Sequence, residues 1–292
     1  LKENGEVIPL AEISDEIKFE LNSNKSQSIN RSFQFDKFPL TFSEYQQKFK
    51  IVHDNLLFGN SYLTNLTYPT KISTNLSLDK IFEFSVAKYK LKYKEDFVCF
   101  SPERFVKIEN QFIFSNPMKG TIDASIENAE HVILEDKKEK AEHATIVDLI
   151  RNDLSLVAEN VEVTNYRYID EVKTNDKTLL QVSSEIRGKL NDDYIQNLGA
   201  IFDQLLPAGS ICGAPKKKTV EIILEAEKYN RNFYTGVFGV FDGVNLDSAV
   251  MIRFIENNQG ELFFKSGGGI TAKSKAKAEY EELIQKVYVP IY

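Results

Sequence analysis

Short alternating segments joined by turn sequences are the feature that most limits the fold of this chain. Residues 103–108 (ERFVKI) alternate between polar and apolar side chains, and the turn sequence 109–111 leads into the next apolar run. Asn257–Gly260 is a second hairpin turn. The predicted strands span residues 61–67, 96–108, 111–115, 233–242, 246–255 and 261–266. Strands joined by hairpins pair antiparallel, so the pattern favours antiparallel sheets over a regular βαβ array.

Segments with helical periodicity lie between these groups of strands. The predicted helices span residues 43–58, 127–151, 216–229 and 276–287. The Ser/Asn-rich segment 22–30 predicts a loop or mobile segment, and no stretch reads as an interdomain linker. We therefore predict an α+β fold and a single domain over residues 1–292.

Composition excludes several classes of protein. The chain has 292 residues, 42% of them hydrophobic, which is enough for a sizeable core. Its net charge of −7 argues against a nucleic-acid surface. No uninterrupted apolar run reaches about 18 residues, so we expect no membrane helix, and the first residues lack a secretory pattern. With Cys99 and Cys212 as the only cysteines, no disulfide framework is expected, and the protein is predicted to be cytoplasmic.

Two predicted helices each carry a pair of glutamates three residues apart. Glu139 and Glu142 share a helix face, and Glu279 and Glu282 repeat the spacing near the C-terminus. Each pair alone is typical of a solvated, charged helix surface. If the two pairs faced each other, their repulsion would require a cation, and Mg²⁺ suits such oxygen ligands.

Two glycine-containing segments expose backbone. In LPAGSICGAPKKKTV (206–220), Gly213 precedes a predicted helix whose first N–H groups could attract an anion, although an ordinary loop-to-helix joint explains the sequence too. The run Gly267–Gly269 predicts a turn that a ligand could approach closely, with a plain turn as an equal alternative.

Two cations stand out from the remaining basic residues. Arg253 has apolar neighbours on its own strand face, so its guanidinium needs an anionic partner, either a ligand or a structural acid. Lys119 sits between Met118 and Gly120 at a predicted strand end. Most such lysines are solvated, but partial desolvation would lower the pKa of this amine and make it nucleophilic.

Taken together, eight segments resemble the chorismate-utilising enzymes, the family of the synthesising subunits of anthranilate synthase, of aminodeoxychorismate synthase, and of isochorismate and salicylate synthases. The segments are SPERF (101–105), NPMKGT (116–121), KEKAEHATIVDLIRNDL (138–154), AGSICGAPK (208–216), YTGVFGVFD (234–242), MIRF (251–254), SGGGI (266–270) and EYEELIQK (279–286). They occur in family order, and residues 1–58 match less well. The resemblance implies two facing antiparallel β-sheets flanked by helices, with chorismate in a cleft.

The resemblance also implies roles for individual residues. Lys119 matches a lysine that attacks ring carbon C2, Glu103 matches the acid/base glutamate, and Thr121 matches a threonine beside the ring. The groups that match those binding the substrate carboxylates are Tyr234, Arg253, Lys286 and the backbone at Cys212, Gly213, Gly267 and Gly268. The glutamates that match the family's Mg²⁺ cluster are Glu139, Glu142, Glu279 and Glu282.

Within the family, Lys119 favours the aminodeoxychorismate synthase branch, because anthranilate synthases usually carry Ala there. That branch aminates chorismate at C4 on the way to p-aminobenzoate and folate, with ammonia from a glutamine amidotransferase subunit. Gln181, where anthranilate synthases carry His, points the same way, and Leu63 replaces the water-activating lysine of isochorismate synthases. Cys212 departs from the usual Thr. Anthranilate synthase, isochorismate synthase and a non-catalytic chorismate-binding subunit are the alternatives, and no nucleic-acid or membrane partner is expected.

Overall fold

Antiparallel strand pairs run through the chain, as the hairpin sequences predict. The computed structural model describes residues 8–22, 33–173 and 178–291, so of the predicted loop 22–30 only Asn22 lies within the described residues. The strands are β1 (Ile17–Leu21), β2 (Phe35–Phe38), β3 (Leu63–Thr74), β4 (Tyr89–Tyr93), β5 (Phe97–Ser101), β6 (Arg104–Glu109), β7 (Phe112–Ser115), β8 (Met118–Asp123), β9 (Glu159–Lys173), β10 (Thr178–Lys189), β11 (Gly213–Ala214), β12 (Val237–Phe241), β13 (Leu246–Val250), β14 (Phe254–Asn258) and β15 (Glu261–Ile270).

Helices occupy the segments between groups of strands. They are α1 (Phe42–Leu57), α2 (Leu78–Phe84), α3 (Ala129–Glu135), α4 (Lys137–Leu154), α5 (Leu198–Leu205), α6 (Gly209–Cys212), α7 (Lys216–Glu227) and α8 (Ala276–Gln285). The predicted face of α1 is confirmed, since Tyr45, Phe49, Val52 and Leu56 are all buried. Within the described part of the chain, none of these helices has the length and apolar character that a membrane span needs.

Two antiparallel sheets form within the described ranges. The first has the order β1-β4-β5-β14-β15-β3-β11, with β2 also paired to β3. The second has the order β12-β13-β6-β7-β10-β8, with β9 paired to β10. A cluster that includes Phe97 and Phe254 from the first sheet, packed against Phe238 from the second, joins their facing sides. The predicted α+β fold with two facing sheets is confirmed.

Each sheet has its own layer of helices. Helices α1, α7 and α8 pack on β3 and β15 and bury Leu66 and Ile270 between them. Helices α3 and α4 lie over β8 and β10. The two helices that carry the glutamate pairs, α4 and α8, therefore belong to different layers.

Two predicted strands are each broken in the middle, and the prediction of one continuous strand was wrong in both cases. Segment 96–108 divides into β5 and β6, which lie in different sheets, and segment 246–255 divides into β13 and β14 in the same way. Pro102 cannot donate a ladder hydrogen bond and stands at the first break. Arg253 has φ +52° at the second break, so the predicted alternation of side chains does not continue through it.

Two further predictions were wrong in their boundaries. The predicted helix 127–151 is two helices, because the Asp136 side chain accepts hydrogen bonds from the N–H groups of Lys138 and Glu139 and begins α4. The predicted glycine turn is part of β15, where Gly267 pairs with Thr67 of β3. A Cβ on Gly267 would lie 2.6 Å from the Leu66 carbonyl oxygen, so the close approach of β3 accounts for the glycine.

Replacement of Asp136 tests the start of α4. Asp136→Ala removes two cap hydrogen bonds, and we expect the free energy of unfolding to fall by about 1 kcal/mol. The exposed Asp148 lies on the same helix outside the cap, so Asp148→Ala should change stability by less than about 0.5 kcal/mol. Urea unfolding of both variants measures the difference, and equal midpoints would show that Asp136 does not cap α4.

Candidate active site

The two strand breaks lie side by side. The N–H of Val250 donates to the carbonyl of Glu103 (3.2 Å), and the N–H of Phe100 donates to the carbonyl of Arg253 (3.1 Å). The residues at each strand break are thus hydrogen-bonded through their backbones to the residues at the other break. The arrangement brings the predicted acid/base residue and the predicted carboxylate-binding arginine to one place at the junction of the sheets.

Glu103 has the environment of a protonated acid. Burial raises the pKa of its carboxyl, although the hydrogen bond from Ser210 and the charges of Arg253 and Lys286 oppose that effect. The Ser210 hydroxyl donates to Oε1 at 2.8 Å. A carboxyl whose pKa is raised in this way is better able to act as a general acid.

Arg253 presents an unfilled donor. Its Nε is buried without a hydrogen-bond partner among the described residues, and no carboxylate in those ranges lies within ion-pair distance. The guanidinium lies 5.4 Å from the ring centroid of Tyr288. The sequence left a structural acid and a ligand anion open, and this geometry favours the ligand anion. Tyr234 is buried nearby, and burial raises its pKa to about 12, so its hydroxyl stays protonated.

Lys119 is carried by a β-bulge rather than by a plain strand end. Thr121 pairs with Gln181 and Met118 pairs with Ser183, so Lys119 and Gly120 together oppose Val182 alone. Gly120 has φ +97°, which favours glycine. An extra residue in one strand re-aims the side chains beside it. The bulge therefore explains why a lysine within β8 points toward α4.

The glutamates of α4 and α8 converge on this lysine. The amine of Lys119 lies 2.9 Å from Oε2 of Glu142 and interacts electrostatically with Glu139, Glu279 and Glu282. The sequence could not establish that the two helices meet. In the structure, both glutamate pairs interact electrostatically with the amine of Lys119.

The direction of the Lys119 pKa differs from the expected one. Burial lowers it, as predicted, but the combined effect of Glu142, Glu282 and Glu139 is larger and raises the pKa above its usual value. The amine is therefore an ammonium ion in this arrangement. The expected lowering of its pKa was wrong, because the sequence did not show the surrounding carboxylates, while its role as a nucleophile stays a prediction.

Burial and neighbouring acids raise the pKa of two of the four glutamates. Burial raises the pKa of Glu139, and the negative charge of Glu142 raises it further. Burial and the charge of Glu282 do the same for Glu279. Glu282 has a lowered pKa, since Lys286 lies 2.6 Å away and outweighs its burial.

The cluster is chemically suited to Mg²⁺ but not gathered into a ready ligand set. All four predicted ligands are carboxylates, which a hard cation prefers. Among the described residues, however, no three acidic, histidine or cysteine side chains lie together as a metal-binding group. Lys119 and Lys138 both pair with Glu142, at 2.9 and 3.7 Å. Ammonium groups thus supply the positive charge here.

The glycine run of β15 faces the glutamates of α8. A Cβ on Gly268 would lie 3.5 Å from Oε2 of Glu279 and 3.7 Å from Oε1 of Glu282. The amine of Lys286 donates to the carbonyl of Gly267 at 3.0 Å. Pairing of β15 with β14 ends at Lys265, while pairing with β3 continues to Ile270. The strand thus extends beyond β14 where it passes the carboxylates.

The remaining predicted residues have less direct placements. The N–H of Cys212 donates to Ala208 (2.9 Å), and that of Gly213 donates to Gly209, so both are used within α6 rather than open to an anion. Burial raises the pKa of the Cys212 thiol to about 11. Thr121 is exposed on β8 beside the bulge. Ligand contacts of these three residues stay predictions.

Two polar residues in the same region were missed from the sequence. Ser210 contacts Glu103, and His143 is fully buried against the backbone of Lys119. Both lie inside segments that carry the family resemblance. A signal for His143 was available, because it lies four residues after Glu139 on the face of α4 that continues through the buried Ile146.

Comparison with known proteins identifies the family of this chain. The family model described as chorismate binding enzyme matches residues 4–291. A PabA-like protein of Haemophilus influenzae is 57% identical over 257 residues, which cover 88% of this chain and 78% of that protein. Aminodeoxychorismate synthase component 1 of Bacillus subtilis is 31% identical, and the match covers 86% of this chain but 55% of that protein.

A solved structure shows the same fold. Anthranilate synthase component I from Streptococcus pneumoniae superposes with a TM-score of 0.72 at 22% identity, covering 89% of this chain and 60% of that one. The family match spans nearly the whole chain and includes both sheets and both glutamate-bearing helices. The chain belongs to the family of chorismate binding enzymes.

Proposed function

We propose that this chain is the aminating subunit of an aminodeoxychorismate synthase, which converts chorismate and ammonia into 4-amino-4-deoxychorismate. The position of Lys119 carries the proposal, because its amine lies among the glutamates of two helices, and Lys286 interacts electrostatically with both Lys119 and Glu103. The relatives with that activity in their names, about 31% identical to this chain, add support.

The positively charged side chains at the sheet junction are suited to a negatively charged substrate. Chorismate carries two carboxylates, and Arg253 has a buried Nε without a partner in the described chain. Lys286 lies between Glu282 and the carbonyl of Gly267. We assign Arg253 and Tyr234 to one substrate carboxylate and Lys286 to the rim of the metal site. The backbone N–H of Gly267 is a further donor, whereas that of the next residue, Gly268, points toward β3.

The four glutamates would hold Mg²⁺. Glu139 and Glu142 approach from α4, and Glu279 and Glu282 approach from α8. When bound, Mg²⁺ would anchor the ring carboxylate and neutralise the charges that keep Lys119 protonated.

The amination proceeds by two displacements. The neutral amine of Lys119 attacks ring carbon C2, the ring double bonds shift, and the C4 hydroxyl departs as water after Glu103 donates a proton. Ammonia then adds at C4, the double bonds shift back, and the bond from C2 to the lysine nitrogen breaks. The lysine is regenerated, and the amine stands at C4 rather than at C2.

Ammonia is assigned to a glutamine amidotransferase subunit. Cys99 and Cys212 are both buried, and burial raises the pKa of their thiols to about 12 and about 11. A glutaminase needs an accessible cysteine that ionises easily. Neither cysteine therefore suits that task, and free ammonium should replace the partner in vitro. The product places this chain before p-aminobenzoate in folate synthesis.

Product identity tests the proposed reaction directly. With chorismate, Mg²⁺ and ammonium, we expect 4-amino-4-deoxychorismate as the main product by chromatography and mass spectrometry, and its loss on addition of EDTA. Anthranilate or isochorismate as the main product would assign the chain to another branch of the family. Tight chorismate binding without turnover, with the amidotransferase present, would indicate a binding subunit.

Replacement of Lys119 tests the nucleophile. We expect Lys119→Ala to lower kcat for 4-amination by about 10³-fold or more, as loss of a nucleophile does. Lys138→Ala is the matched control, because Lys138 also pairs with Glu142 but its side chain is 66% exposed. It should retain most activity. Steady-state kinetics on both variants gives the comparison, and equal activities would remove Lys119 from the mechanism.

The pH profile tests Glu103 as the acid. Because Glu103 must be protonated, kcat/KM should fall as pH rises through its raised pKa. The Ser210 hydroxyl stabilises the carboxylate form, so Ser210→Ala should raise the pKa further and move this alkaline limb to higher pH.

Two variants serve as references for that profile. Glu103→Gln should lose about 10²- to 10⁴-fold in kcat. Ser101→Ala removes a hydroxyl that accepts a hydrogen bond from the backbone N–H of Glu103 and does not contact the Glu103 carboxyl. The alkaline limb of the pH profile should therefore not move in this variant. If the alkaline limb of Ser210→Ala matched that of wild type, the group that titrates in the pH profile would not be Glu103.

A further inference from the structure

His143 links α4 to the bulge that carries Lys119. It is fully buried, whereas His131 is exposed. Its Nδ1 lies 3.3 Å from the carbonyl oxygen of Lys119, and its Nε2 lies 2.7 Å from the hydroxyl of Ser184. The imidazole therefore spans from the lysine's own backbone to the neighbouring strand β10.

The partners of the ring determine where its proton lies. A carbonyl oxygen can only accept, so Nδ1 carries the hydrogen and donates to Lys119. The Ser184 hydroxyl accepts from the N–H of Arg167 at 2.9 Å, which leaves its own hydrogen to donate to Nε2. With a neutral ring, both ring nitrogens and the hydroxyl have partners.

The backbone of the same serine also bonds to Pro117, two residues before the bulge. The N–H of Ser184 donates to the carbonyl of Pro117 at 3.0 Å. At the bulge itself, two residues of β8 oppose Val182, so the regular ladder is interrupted. His143 thus holds the carbonyl of Lys119 where the ladder is interrupted, and the backbone of Ser184 holds that of Pro117.

We propose that His143, itself held by the Ser184 hydroxyl, positions Lys119 for attack on the ring by fixing the carbonyl of residue 119 so that the bulge keeps its shape. Both are positioning residues, since their side chains are fully buried and contact other residues of the chain. The inference rests on the proposed amination. A displacement of about 1 Å in a reacting group can cost about 100-fold in rate, so a loosened bulge should impair chemistry more than binding.

A pair of adjacent serines offers a matched comparison. Ser184→Ala removes the hydroxyl that connects His143 to Arg167. Ser183→Ala removes a neighbouring buried hydroxyl that has no hydrogen-bond partner within the described residues. We expect Ser184→Ala to lower kcat for 4-amination by about 10- to 100-fold with KM for chorismate within about threefold of wild type, and Ser183→Ala to match wild type.

Two substitutions at position 143 separate the hydrogen bond from packing. His143→Asn keeps a donor near the position of Nδ1, and His143→Leu removes it. We expect the asparagine variant to retain more of kcat than the leucine variant. We also expect a larger share of 2-amino product from the leucine variant, because ammonia then reaches C2 without the lysine.

Hydrogen–deuterium exchange supplies a readout that does not depend on the reaction. Peptides covering 116–122 should exchange faster in Ser184→Ala than in Ser183→Ala. Equal kinetics and exchange in the two serine variants would overturn the inference, as would faster exchange with an unchanged kcat. A wild-type enzyme whose main product is anthranilate would instead refute the proposed function, while the exchange comparison would still report on the bulge.

Discussion

The two paired strand breaks are the constraint on which the rest of this structure depends. Each break interrupts a ladder of backbone hydrogen bonds, and the lost bonds are replaced between the breaks, from Val250 to Glu103 and from Phe100 to Arg253. Buried backbone groups must be paired, so neither break can move without the other. The acid and the guanidinium are therefore placed by the main chain, which is stiffer than a side chain.

Around this junction the chain accumulates charge that is only partly balanced. Lys119, Lys138 and Lys286 stand against the glutamates of α4 and α8, and the pKa values of Glu139 and Glu279 are raised by burial and by neighbouring acids. Such a cluster favours an added cation or a change in protonation. The ammonium of Lys119 supplies part of that charge now, so an added cation would compete with this ammonium for the same oxygens and favour release of the amine.

Local patterns in the sequence were sufficient for the fold class and for part of the elements, whereas strands β8, β9 and β10 and helices α2 and α5 were not predicted. The hairpin turns and the spacing of Tyr45, Phe49 and Val52 anticipated antiparallel sheets and α1, because turn chemistry and periodicity act over a few residues. The same patterns failed at segments 96–108 and 246–255. Alternation looks alike whether a strand stays in one sheet or passes to another, and only the neighbours available for pairing distinguish the two.

By itself, the sequence determined which chemical groups the site contains: a lysine, an arginine and three-residue-spaced glutamate pairs on two helices. Only the tertiary structure decided that α4 and α8 meet at Lys119, that a bulge aims this lysine, and that its pKa is raised rather than lowered. The part played by His143 became visible only there as well. The physical reason is that electrostatic effects and hydrogen bonds depend on distances between residues far apart in the chain, and packing alone sets those distances.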